Sequence, residues 1–338
     1  MEHELIWHLP VILYLYLAGL GGGAVAISGY SLVTRAKFDD MRTHYHYFRL
    51  ARYGAVFGPL AVIIGVTLLI FEIGRPFRAM NLFKVINLSP MSIGSWLLVL
   101  FITTSLIYGL TFLPSFKRKY EQLAIRLYPV QRVLALINIP LGISVAVYTG
   151  VLLGAMPARP LWNSPILAML FLISALSAGI ASIVLARAIF HRKSHEATPD
   201  RRIRAYGRRK TKRPGRRYHE TGYMLATIDL VFIGIELMVI FLFIMFAHLT
   251  VGNLKYAIAI ILPGGEMATA FWVGVVLIGL VIPALVGLYT VIPRLFYNTP
   301  FVAHRSVELV LSIAVLIGGF MLRYVIVIAG QITGPMGL

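Results

Sequence analysis

Apolar residues fall in eight long runs along this chain, near 6–33, 52–73, 91–113, 130–155, 165–187, 221–250, 268–292 and 306–330, with polar segments between them. A helix that crosses about 30 Å of hydrocarbon needs roughly 20 mainly apolar residues at 1.5 Å rise each. Every run is about that long, so the pattern predicts an all-α integral membrane protein with eight transmembrane helices. The polar segments give it an orientation. With each Lys or Arg at the edge of a run assigned to the neighbouring segment, the segments after runs one, three, five and seven hold 5, 5, 13 and 2 of them, 25 of the 31 in the sequence. The alternate segments hold 5, and Arg323 lies inside the last run. Basic connections are retained on the cytoplasmic side, which places both termini outside. The start Met1-Glu2-His3-Glu4 lacks the basic region of a cleavable signal peptide, so the first run is expected to remain in the protein.

Composition supports the same class. With 59% hydrophobic and 13% charged residues the protein cannot cover an ordinary soluble surface. No polar stretch is large enough for a second globular domain, so residues 1–338 are expected to form one membrane domain with a basic cytoplasmic loop at 188–220. The absence of cysteine excludes a thiolate-held iron–sulfur cluster and a disulfide within this chain. The net charge of +18 raises the question of nucleic acid, but its densest run, Arg201 to Arg213, lies in the long inner loop, where positive charge is expected in any case. That loop suits anionic lipid headgroups better than nucleic acid.

Two further patterns resolve as structural. Gly19-Leu20-Gly21-Gly22-Gly23-Ala24 resembles a nucleotide-binding glycine pattern but sits within an apolar helix with no strand before it. Glycine there, and at Gly54/Gly58 and Gly150/Gly154, is expected to let helices approach closely. Haem held between helices needs facing imidazoles within the bilayer. Of the histidines only His8 and His248 fall inside runs, each two residues from an end, and His44 and His46 point apart on a helix, so neither haem nor a structural metal is expected.

The polar residues that remain gather at one depth. Tyr148 lies about 27 Å along the fourth run from its inner end, Tyr14 about 10 Å below the outer surface, and Arg323 about 27 Å up the eighth run. Glu72 closes the second run on the outer side and leads into Gly74-Arg75-Pro76-Phe77-Arg78. Tyrosines also populate the interfacial belt, but a charge such as Arg323 within apolar helix requires a partner or a cavity. Glu236 is the candidate partner. Asp229 and Glu236 are seven apart, on nearly one helix face and about 10 Å from each other. With Glu308 they suggest a proton route from the cytoplasmic side, or alternatively inert pairing with Arg323 and backbone.

Several segments in order carry a family resemblance: Glu72-Ile73-Gly74-Arg75-Pro76-Phe77-Arg78; Ser89-Pro90-Met91-Ser92 with Ser95-Trp96; Tyr148-Thr149-Gly150 leading to Arg159-Pro160-Leu161-Trp162-Asn163; and Gly318-Gly319 to Arg323 with Ala329-Gly330-Gln331. Over essentially its whole length the sequence resembles the polysulfide reductase membrane-subunit family (NrfD-like). The resemblance implies an eight-helix, haem-free, quinone-reactive subunit in a prokaryotic cytoplasmic membrane, arranged as two four-helix bundles. It implies a quinone, menaquinone or a related one, and docking to a four-cluster ferredoxin-like iron–sulfur subunit that usually serves a molybdopterin enzyme.

By the same resemblance Tyr148 matches the family tyrosine that hydrogen-bonds the quinone. The family site also draws a His and an Asn from the first helix, where this sequence has Tyr14 and Val11. Tyr14 can hydrogen-bond a quinone oxygen and Val11 cannot, and His8 is the available substitute. Glu72 is the nearest proton acceptor at this depth, with Arg75 beside it in sequence, although the two also suit a structural ion pair. Arg75, Arg78, Lys84 and Arg159 are the outer basic residues available for partner docking. Two other classes compete: a transporter or proton channel, for which Pro59, Pro140 and Pro283 are candidate helix breaks, and a passive membrane anchor.

Overall fold

In the computed structural model, residues 7–35, 41–72, 89–113, 121–190, 215–250, 252–297 and 304–333 are described. They form α1 (Leu9–Arg35), α2 (Met41–Glu72), α3 (Pro90–Leu110), α4 (Glu121–Gly154), α5 (Pro165–Phe190), α6 (Gly215–Leu249), the short α7 (Asn253–Ile258), α8 and α9 (Arg305–Ile332). Helix α8 runs Ala270–Val281 as π-helix and continues as α-helix over Ile282–Tyr297. Eight of these helices are long and apolar enough to cross a membrane. Their bounds follow the apolar runs, except that α2 and α4 extend by two to three turns at their starts into the basic segments. Polar sequence does not end a helix that has already left hydrocarbon, so apolar length underestimates both. The long inner loop at 188–220 falls largely outside the described residues.

The sequence made Pro59, Pro140 and Pro283 candidate breaks, and the structure corrects this for two of them. Helices α2 and α4 pass through Pro59 and Pro140 without interruption. Pro283 sits just beyond the change from π- to α-helix in α8.

Helix α1 is the centre of the packing. It borders α2, α4, α5 and α9, and 72% of its most apolar window is buried, against 28% for α8 and 33% for α6. The glycine run explains how one helix can sit against so many. A Cβ at Gly21 would lie 2.5 Å from the Gly58 carbonyl oxygen on α2, and one at Gly22 would lie 2.6 Å from the Gly142 oxygen on α4; one at Gly23 would overlap the Ala175 carbonyl on α5. Three neighbouring helices thus meet α1 backbone to backbone at consecutive residues, the small-residue mode of packing that operates where lipid gives no hydrophobic drive. Helices α8 and α9 use the same device at Gly279 and Gly318.

Around this centre α3 packs on α2 and α4, α5 on α4, α6 and α9, and α8 on α9 and α6. The segment between α6 and α8, which reads in sequence as a plain connection, forms α7 and a series of turns. Leu254, Ala257, Ile258 and Ile261 are buried there, and Trp272 of α8 donates its indole N–H to the Ile261 carbonyl at 3.1 Å.

Candidate functional site

Tyr14 and Tyr148 come together at the end of the bundle opposite the basic segments. Tyr14 is 1% exposed and lies close enough to Tyr148 for their phenols to interact electrostatically. Space for the second ring comes from α3, because any side chain at Gly94 would overlap the Tyr148 ring. Neither phenol oxygen is hydrogen-bonded among the described residues, and both keep some exposure. Both rings belong to an apolar cluster that includes Val11 and Leu98. Val11 offers hydrocarbon only, as its side chain dictates.

The structure also brings His8 and Glu72 together. His8 Nδ1 lies 2.8 Å from Glu72 Oε1, joining the entry of α1 to the last residue of α2. The imidazole is largely exposed and the carboxylate mostly covered. Glu72, at the end of α2, is therefore tied to the residue just before α1, the helix that carries Tyr14. Arg75, Arg78 and Lys84 lie outside the described residues.

Arg159 has a structural task. Its guanidinium donates to the Gln331 carbonyl at 2.5 Å and to the Gly330 carbonyl at 3.5 Å, supplying donors to the end of α9, and it lies 5.9 Å from the Trp162 ring. Trp162 donates to the Ile326 carbonyl at 2.8 Å and stacks on Trp7 with centroids 5.0 Å apart. The first residues before α1, the turn before α5 and the end of α9 are therefore fastened together at the same end as the paired tyrosines.

A family model described as polysulphide reductase, NrfD, matches residues 1–210 and 209–335. The chain belongs to this family. It is 29% identical to the protein NrfD homolog of Haemophilus influenzae, with 98% of this protein and 96% of the relative covered. It is also 29% identical to one of the polysulfide reductase subunits of Wolinella succinogenes, over 97% and 95% of the two proteins, and to protein NrfD of Escherichia coli, over 98% and 96%. With its eight apolar helices, this NrfD-family member is a multi-pass membrane protein.

A second polar group occupies the interior of this NrfD-family protein. Arg323 is fully buried and donates to Ser174 Oγ at 2.8 Å, the Gly319 carbonyl at 2.8 Å and the Phe171 carbonyl at 3.3 Å. Phe171 and Tyr16 place ring faces 5.1 and 5.8 Å from its guanidinium carbon, and its Nε has no partner among the described residues. Glu236 is buried within electrostatic reach of both Arg323 and Ser174, while the hydrogen bonds of Arg323 go to Ser174 and two backbone carbonyls. Asp229 accepts from Ser177 at 3.2 Å and interacts with Glu236.

Glu308 stands apart from that group. Arg187 donates to it at 2.5 Å in a buried ion pair. The helix positions of Ser177 and Arg187 put about 15 Å of α5 between the Asp229 contact and the Glu308 contact, so direct side-chain hydrogen bonds do not bridge the two.

Sequence reasoning did not single out Ser174, Ser177, Tyr16 or Trp7. Tyr16 was the most accessible of these. It is two residues from Tyr14 and so emerges on the other side of α1, toward α9, where its hydroxyl donates to the Leu316 carbonyl at 3.0 Å. Serines within apolar helix carry no positional signal until their partners are known.

Proposed function

We propose that this protein is the quinone-reactive membrane subunit of a multi-subunit respiratory oxidoreductase, exchanging electrons between the quinone pool and an extracytoplasmic iron–sulfur subunit. The observation that carries the reading is the adjacency of Tyr14 and Tyr148, two phenols without partners among the described residues, in an apolar setting. A bound quinone, menaquinone or a relative, supplies two-electron, two-proton chemistry. Tyr14 and Tyr148 would hold its ring oxygens and His8 with Glu72 would take up or deliver protons at the mouth. Family membership supports the same reading, because one relative is named as part of a polysulfide reductase.

In this reading the basic end faces the cytoplasm of a prokaryotic cell and the tyrosine end, with both termini, faces outward. Helices α1 to α4 and the remaining four long helices form two bundles joined along α1 and α5. An iron–sulfur subunit docks on the outer end, where Arg75, Arg78 and Lys84 supply positive charge, and passes electrons to or from a molybdopterin-type catalytic subunit. The Asp229, Glu236 and Arg323 group serves proton movement toward the same end.

The deciding experiment compares quinol oxidation by the purified complex of natural sequence with that of the Tyr148→Phe variant. Loss of turnover with assembly intact supports the reading. Unchanged kinetics would place the quinone elsewhere and favour a channel or an anchor.

A further inference from the structure

At the basic end of the bundle, far from the paired tyrosines, α2 and α5 enclose a cavity of about 430 Å³. One stripe of α2 supplies Arg49, Arg52, Tyr53 and Phe57, and Phe190 and Leu113 close it from the ends of α5 and α3. The rings form a wall: Phe190 stacks on Tyr53 at 6.4 Å and on Phe57 at 5.9 Å. Arg49 and Arg52 are the charged residues among the described lining.

The order of residues along α2 is amphipathic in depth. The apolar run of this helix begins at about residue 52, so Arg52 stands at its edge and Arg49 about 5 Å before it, at headgroup level. Beyond them Phe57 is partly exposed, and Leu60 and Ile64 continue as an exposed apolar track on the outside of the bundle. Charge first and hydrocarbon after is the profile of a phospholipid lying against a helix.

We infer that Arg49 and Arg52, with the stacked wall of Tyr53, Phe190 and Phe57, form a binding site for an anionic phospholipid, its phosphate on the arginines and an acyl tail along Phe57, Leu60 and Ile64. The site is distinct from the 188–220 loop, where basic charge alone suggests attraction to the membrane surface. It depends on the protein spanning a membrane and not on its reaction with quinone.

The test is native mass spectrometry of the full-length protein in detergent, with phosphatidylglycerol and phosphatidylcholine of matched acyl length added. The natural protein retains phosphatidylglycerol preferentially, and Arg49→Gln with Arg52→Gln lowers that preference roughly tenfold while phosphatidylcholine retention is unchanged. Arg52→Gln alone gives a smaller loss, which keeps the test available if the double variant does not fold, and Phe57→Ala with Phe190→Ala weakens both lipids. Arg132→Gln, an exposed arginine on α4, leaves the preference intact. An equal loss in Arg132→Gln, or no loss in the Arg49 and Arg52 variants, overturns the site. Inorganic phosphate displacing the lipid at millimolar concentration would show an anion site without lipid specificity and would likewise overturn the assignment.

Discussion

The carboxamide of Gln331 pairs with both backbone groups of Trp7: the Trp7 N–H donates to Oε1 at 2.7 Å, and Nε2 donates to the Trp7 carbonyl at 3.0 Å. Residues 324 positions apart are joined as neighbouring strands would be, at a terminus that would otherwise fray. Gln331→Ala removes both bonds and is expected to cost about 1–3 kcal/mol. Thermal unfolding in detergent measures this, and an unchanged midpoint would mean that the Trp7–Trp162 stack holds the end by itself. Gln331→Glu keeps one acceptor and loses the donor, so it should fall between the two.

The hydroxyls of Tyr14 and Tyr148 make a different kind of prediction, since neither is hydrogen-bonded among the described residues and both serve the quinone in the proposed function. Tyr148→Phe and Tyr14→Phe should leave unfolding temperature nearly unchanged and lower quinol oxidation by roughly three- to tenfold each, the worth of one hydrogen bond to a neutral acceptor. A fall in stability matching the fall in rate would assign the hydroxyls to packing.

Gly94→Ala tests the same place from the other side. The added methyl would overlap the Tyr148 ring, and overpacking of this kind costs about 1–3 kcal/mol. The ring must move, so turnover should drop in the assembled complex even though no hydrogen-bonding group has been removed. Normal turnover would show that the position of Tyr148 is not critical.

The Arg187–Glu308 pair separates structure from transport. Both side chains are buried, and breaking one partner of such a pair typically costs about 3–5 kcal/mol. Glu308→Gln should therefore appear first as reduced thermal stability. Glu308→Leu combined with Arg187→Met should recover much of that loss, because a packed apolar pair often replaces a buried ion pair without cost.

Asp229→Asn and Glu236→Gln are isosteric and remove ionisable protons from the interior. Proton uptake during turnover, followed in reconstituted vesicles, is expected to slow in both. If it is unchanged in these two and in Glu308→Gln, the acids serve Arg323 and helix packing alone.

The eight spans were legible because bilayer thickness sets a length that apolar runs reveal directly. The glycine run on α1 was legible as a packing element for a similar reason: lacking a strand before it, it had no other use. That the charge of Arg323 needed polar company was legible, but the hydroxyl and carbonyls it donates to were not. The His8–Glu72 contact joins residues 64 apart, and nothing in the sequence paired them, since Glu72 was set against Arg75. Ser174 and Ser177 were not visible, because a serine in an apolar helix satisfies itself on its own backbone as readily as on a neighbour. The π-helical start of α8 was likewise hidden, since its residues read as ordinary apolar helix.

The bare face of α1 sets an order for biogenesis. Proteins emerge from the ribosome N-terminus first, so α1 enters the bilayer before any of its neighbours exists. Its Gly21 surface can be covered once α2 arrives and its Gly22 surface with α4, but the Gly23 surface waits for α5, nearly half of the sequence later. Until then α1 presents unshielded backbone to lipid, and a helix inserted early is sealed only by partners made much later.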